Sequence, residues 1–127
     1  MEGRGEVSLT SSGVGSYPVT WPARAEAPDG LTSPEELLAA AHSTCFSMAL
    51  SHALAQAGTP PTAVDTTAAV TFQPGTGITG IELTVTASVP GLTADQFQTA
   101  AEGAKTGCPV SQALAAVPIT LTATLRT

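Results

Sequence analysis

The stretch SPEELLAAAHSTCFSMALSHALAQAG, residues 33–58, decides the fold. Ser33 is a residue type that caps helix N-termini, and Pro34 suits the first helical position, where an N–H would have no partner. Glu36 stands where a capping box needs an acid. Leu37, Leu38, Ala41, Cys45, Met48, Ala49, Leu50 and Ala53 follow without a breaker. Gly58 supplies a stop, and Pro60 and Pro61 prevent resumption. The spacing predicts one helix of about 24 residues, long for a small domain. Only His42, His52 and Gln56 are strongly polar in its interior, so it reads as a central helix buried on most sides. Ala39, Ala40, Ala41, Ser43 and Ala49 are small enough to let other elements approach closely.

Outward from this helix, residues 6–9 and 17–21 read as short strands, the second interrupted by Pro18. Residues 22–32 read as an irregular loop carrying Arg24. Residues 65–72 (DTTAAVTF) and 81–89 (IELTVTASV) are strands, with Ile81, Leu83, Val85, Ala87 and Val89 alternating onto one face. The linker QPGTGITG makes them an antiparallel hairpin. Thr93 caps a second helix over residues 94–106, with Phe97, Ala100, Ala101 and Ala104 as its apolar positions. Residues 110–116 add one or two further turns, and ITLTATL at 119–125 is a last alternating strand. The order β-β-α-β-β-α-α-β predicts an α+β domain with a mainly antiparallel sheet.

The 127 residues fit one domain, 1–127. Only 11% are charged and 4% aromatic, which leaves a mild surface and favours an oligomer that covers part of it. The formal net charge of −6, without a basic cluster, argues against nucleic-acid binding. No uninterrupted apolar run has membrane-spanning length, so no membrane association is expected. The N-terminus MEGRGEVSLTSSG lacks the apolar core of a signal peptide. The expected compartment is the cytoplasm, where a structural disulfide is uncommon and a catalytic one is not.

Cys45 and Cys108 are the two cysteines of the chain. They read as a redox pair, as two inert core thiols, or as one structural disulfide. For Cys45 to react, a cation or directed donors must stabilise its thiolate, because mid-helix placement gains little from the helix dipole. Arg24, just ahead of the long helix, is the better cation, and Arg4 is the fallback. Glu35 lies ten helical steps before Cys45. That is about 80° around the helix and roughly 15 Å along it, too far to touch the sulfur. An arginine stretched between them would use both. Cys108 stands at a helix–loop junction shaped by Gly107 and Pro109, where a following helix start favours a thiolate. His42, three residues before Cys45, reads as a core or interface histidine, with a Cys–His hydrolase pair as the alternative. The Cys and His spacing lacks a metal-binding pattern.

SPEELLAAAHSTCFSMALS followed by AEGAKTGCPVSQAL closely resembles the OsmC/Ohr family of bacterial thiol peroxidases. His42 and Val110, where the organic hydroperoxide resistance branch has tyrosines, point to its osmotically inducible OsmC branch. The resemblance implies a cytoplasmic, intertwined homodimer, with long central helices enclosed by sheets and active sites at the interface. It implies Cys45 as the peroxidatic and Cys108 as the resolving cysteine, with Glu35 and Arg24 as their partners. It further implies reduction of organic hydroperoxides, and more weakly of hydrogen peroxide, through a Cys45–Cys108 disulfide. An external thiol or small dithiol would recycle it, and no metal, flavin or haem is required. Family members carry one more strand ahead of the GRGEVS segment, so the chain is expected to lack the usual first strand.

Overall fold

The computed structural model describes residues 2–126. β1 (Arg4–Ser8) and β2 (Ser16–Thr20) form an antiparallel two-stranded sheet. A short helix α1 (Trp21–Ala25) follows, then the long helix α2 (Pro34–Gln56). β3 (Ala63–Gln73) and β4 (Gly77–Ser88) make the expected antiparallel hairpin. α3 (Ala94–Gly107) and α4 (Pro109–Ala113) lead to the last strand, β5 (Ile119–Arg126).

Local chemistry explains the boundaries. The Ser33 hydroxyl accepts from the Glu36 N–H at 3.1 Å and opens α2. Its far end is a Schellman motif: Thr59 N–H reaches the Leu54 carbonyl at 2.9 Å, and Gly58 N–H that of Ala55 at 3.0 Å. Gly58 sits at φ +85°, open to glycine without strain. The complete capping box belongs to α3, where Thr93 and Gln96 exchange side-chain to backbone bonds in both directions. In the hairpin, Pro74 and the positive-φ Gly75 occupy the two central places of a turn closed by Thr76 N–H to the Gln73 carbonyl.

Three features depart from the sequence reading. Residues 21–25 are helical, because Thr20 caps them by accepting from the Ala23 N–H and Pro22 fits a first turn. Arg24 therefore stands on a helix and not in a loop. The three-stranded sheet, in order β3-β4-β5, is mixed, since β5 runs parallel to β4. The α3–α4 crossover carries the chain back to the starting end of β4, as a parallel pair requires. Finally, α2 is buried on one side only. Glu35, His42, Phe46, Leu50 and Leu54 are covered, while Met48 on the other side is 69% exposed. By length and mean hydropathy (1.2) alone α2 would suffice to cross a membrane, but here one face of it lies on the sheet.

The core forms where α2 and α3 cover one face of that sheet. Phe46, Leu50 and Leu54 meet Leu83, Val85, Ala87 and Val89 beneath them and Phe97, Ala101 and Ala104 beside them. The outer face of the sheet carries Thr67, Thr84, Thr120, Thr122 and Thr124, β-branched residues that suit a half-solvated pleat. Phe46→Ala is expected to cost about 3–5 kcal/mol. Gly58→Ala is expected to cost about 1–2 kcal/mol, because alanine resists the left-handed conformation. Urea unfolding with an unchanged m-value checks both.

Candidate active site

The core contact at Phe46 fixes the preceding residue, Cys45, at the margin where α2 passes α4. Cys108 is the hinge between α3 and α4. Its N–H closes α3 on the Ala104 carbonyl at 2.9 Å, and its extended backbone (φ −60°, ψ 124°) turns the chain into α4. Both thiols are free; Cys45 is partly exposed, and Cys108 is fully buried. Their side chains lie near the distance at which a disulfide closes.

The two sulfurs are unequal. Burial raises Cys45 above the ordinary thiol range, and its hydrogen bond to Cys108 raises it further, with the Val110 N–H only partly offsetting them. Burial pushes Cys108 up as well, but its net shift is downward. The Cys45 thiol, the N–H and hydroxyl of Ser111 and the N–H of Val110 all favour its thiolate. This is the effect expected of a helix start on a neighbouring cysteine. Within a single chain the Cys45 thiol is thus held up and the Cys108 thiol down, and no arginine is among the causes of the Cys45 shift.

Arg24 and Glu35 form a second cluster. Arg24 Nε donates to Glu35 Oε1 at 2.8 Å, and the Glu35 side chain is only 7% exposed. The guanidinium lies 4.3 Å from the Phe72 ring centroid and 5.7 Å from that of Trp21, and the two rings meet edge to face. Two aromatic faces and a carboxylate hold the cation in place. Glu35 Oε2 is buried and unpartnered. Arg4 and Arg24 both border an open, mainly apolar cleft of about 490 Å³ lined by Val7, Val19, Trp21 and Leu37.

Within one chain these clusters stay apart. Glu35 precedes Cys45 by ten residues of unbroken helix, about 15 Å of rise. Arg24 is bound at the Glu35 end. Of the apolar residues around Cys45, Leu38 and Met48 face outward to different degrees, whereas Phe46 belongs to the core. His42 does not pair with Cys45. Its Nε2 meets Ser111 Oγ at 2.7 Å, deep in the protein. Ser111, Trp21 and Phe72 went unmarked in the sequence. For Ser111 the available signal was its place three residues after Cys108, in the first turn of a helix. Among the described residues no group of three or more His, Cys, Asp or Glu is placed to hold a metal ion.

Residues 27–122 match the protein family described as OsmC-like protein. The chain is 46% identical over 117 residues to the Peroxiredoxin OsmC of Escherichia coli (strain K12), covering 90% of this chain and 81% of that one. A crystal structure of an organic hydroperoxide resistance protein from Elizabethkingia anophelis superposes with a TM-score of 0.71 at 26% identity, covering 99% of this chain and 98% of that one. The OsmC like protein from Mycoplasma pneumoniae superposes with a TM-score of 0.72 at 12% identity, covering 98% and 96%, a likeness of fold alone.

Burial holds His42 below its ordinary value of 6.5. The unfolded chain therefore binds a proton near that value that the folded chain refuses until lower pH. Stability from this group is complete above 6.5 and is lost as the pH falls below it. Urea midpoints measured across that window are expected to decline on acidification in the native protein and to flatten in His42→Gln.

Proposed function

This chain belongs to the OsmC family of cysteine-based peroxidases, and we propose that it reduces organic hydroperoxides, and hydrogen peroxide more weakly, through Cys45 and Cys108. The observation that carries this reading is the closeness of the chain's two thiols, near disulfide distance, one at the margin of the core and one beneath it. The Cys45 thiolate attacks the distal peroxide oxygen. The O–O bond breaks, Cys45 keeps the distal oxygen and its hydrogen as a sulfenic acid, and the alkoxide leaves and takes a proton from solvent as the alcohol. Cys108 condenses with it, releasing water and closing the disulfide. A thiol or small dithiol then reduces that bond by exchange. The apolar cleft beside Arg24 suits the organic substituent of the peroxide.

The activating cation comes from a second copy in this reading. Two α2 helices crossing antiparallel about residue 40 bring position 35 of one opposite position 45 of the other. Ala40 and Ala41, small and exposed, permit that approach. Arg24, carried by Glu35, then falls beside the Cys45 of its partner, where its fork of donors lowers the thiol pKa and orients the peroxide. The open side of α2, the low surface charge and the separation of the two clusters within one chain all support an intertwined homodimer. We assign the enzyme to the cytoplasm on the basis of its family and its pair of reducible thiols.

Rapid mixing of the reduced protein with cumene hydroperoxide, followed by intact mass, is expected to show loss of two hydrogens. Cys45→Ser should abolish the reaction, and Cys108→Ser should stop it at the sulfenic acid. A Cys45→Ser protein with the full peroxidase rate would refute the reading. Mixed dimers of Arg24→Ala and Cys45→Ser, each inactive alone, should regain one working site. If Arg24 acted within its own chain, the mixture would stay inactive.

A further inference from the structure

The chemistry above uses neither member of a buried polar pair that sits beside the thiols. His42 Nε2, fully buried on α2, meets Ser111 Oγ on α4 at 2.7 Å, and Ser111 is only 5% exposed. His42 precedes Cys45 by three residues of unbroken helix, and Ser111 follows Cys108 by three. Residues three apart are neighbours on one helix face. Three steps forward along α2 and three back along α4 therefore carry the His42–Ser111 contact onto the approach of Cys45 to Cys108. That is the register of an antiparallel helix pair.

α4 has little else to hold it against α2. It is five residues long, and Ser111 is its one buried residue. Pro109, Gln112 and Ala113 are exposed, and Val110 is half-buried. None of the five joins the apolar core, and the start of the helix has no side-chain cap bond. From the other direction Cys108 is tied to α3 by its N–H on the Ala104 carbonyl. Its own carbonyl accepts from the Gln112 N–H at 3.0 Å, so the sulfur and the serine ride on one turn of backbone. α3 thus fixes where that turn begins, and Ser111 fixes how it lies against α2.

The direction of the bond follows from an orphaned atom. His42 Nδ1 is buried and has no hydrogen-bond partner among the described residues. A proton there would be an unpaired buried N–H, which costs more than a hydrogen-bonded one. The favoured neutral tautomer therefore carries its proton on Nε2 and donates it to Ser111 Oγ.

Resting on the peroxidase reading above, we propose that His42 and Ser111 are positioning residues for disulfide closure: their hydrogen bond clasps α4 to α2 and holds Cys108 within reach of the Cys45 sulfenic acid. Neither touches the reacting atoms in this role. In the step they serve, the Cys108 sulfur forms the S–S bond while the S–O bond of Cys45 breaks. The departing hydroxide takes the Cys108 proton and leaves as water. The sulfenic sulfur is reduced as Cys108 is oxidised. A fixed approach of this kind raises the effective concentration of one thiol at the other.

Equilibration with glutathione reads that effective concentration with no peroxide present. The Cys45–Cys108 disulfide is set against mixtures of reduced and oxidised glutathione, and the oxidised fraction is read by intact mass. Ser111→Ala and His42→Leu are each expected to make the disulfide about tenfold easier to reduce, the size of one buried hydrogen bond lost, or about 30 mV for this two-electron couple. His42→Gln, which keeps an N–H near the Nε2 position, should bring the equilibrium back toward the native value. In a single turnover with cumene hydroperoxide, Ser111→Ala should form sulfenic acid near the native rate and close the disulfide roughly tenfold more slowly. Leu54→Ala removes core packing at the far end of α2, away from the clasp, and should move neither quantity. A folded Ser111→Ala protein with the native glutathione equilibrium would overturn the inference and leave the peroxidase reading intact. So would a Leu54→Ala protein shifted as far as Ser111→Ala. Native protein that forms no sulfenic acid would overturn the peroxidase reading, and the use of the clasp in closure with it, even where the glutathione equilibrium moved.

Discussion

The packing of one apolar stripe of α2 against the sheet and α3 governs the rest of this molecule. Phe46, Leu50 and Leu54 lock that helix in rotation and in height. Cys45 precedes Phe46 directly, so the core residue sets where the sulfur points. α3 is fixed to the same core through Phe97, Ala101 and Ala104, and its last turn ends at Cys108. The two thiols thus come close because two helices share a core: Cys45 directly precedes Phe46, and Cys108 lies one turn beyond Ala104. Close-packed interiors tolerate little slack, so this arrangement fixes the positions of both sulfurs.

The same helix that gathers the thiols separates the charges. Arg24 is held by Glu35 and two aromatic rings at the start of α2, a long way from Cys45 along an unbroken helix. A partly buried guanidinium is costly to leave unpaired, and Glu35 offsets that cost at the place where Arg24 waits. In one chain the Arg24 end and the sulfur end of α2 stand apart, and the exposed side of the helix runs between them. An apolar helix covered on one side calls for a cover on the other.

Much of the scaffold was legible because its signals are local. Ser33 with Pro34, and Gly58 with the prolines after it, mark the ends of α2; Thr93 marks the start of α3; alternation marks β4 and β5. Each rests on backbone hydrogen bonds within a few residues. What escaped the reading depends on elements distant in sequence. The helix at residues 21–25 follows from a weak threonine cap. The parallel direction of β5 depends on the end of the sheet to which the α3–α4 crossover returns. The one-sided burial of α2 could not be read from residues that are apolar all round.

The candidate site divides along the same line. The sequence by itself determined that there are two cysteines, one within a long apolar helix and one at a helix junction, with Arg24, Glu35 and Glu36 shortly ahead of the first. Those are matters of residue type and spacing along the chain. Only the tertiary structure decided that the thiols lie close together, that Arg24 rests on Phe72 and Glu35, and that His42 turns from Cys45 to Ser111. Ser111 lies 69 residues from His42. A contact across that distance is set by how helices seat in a common core, and no local preference of either residue encodes it.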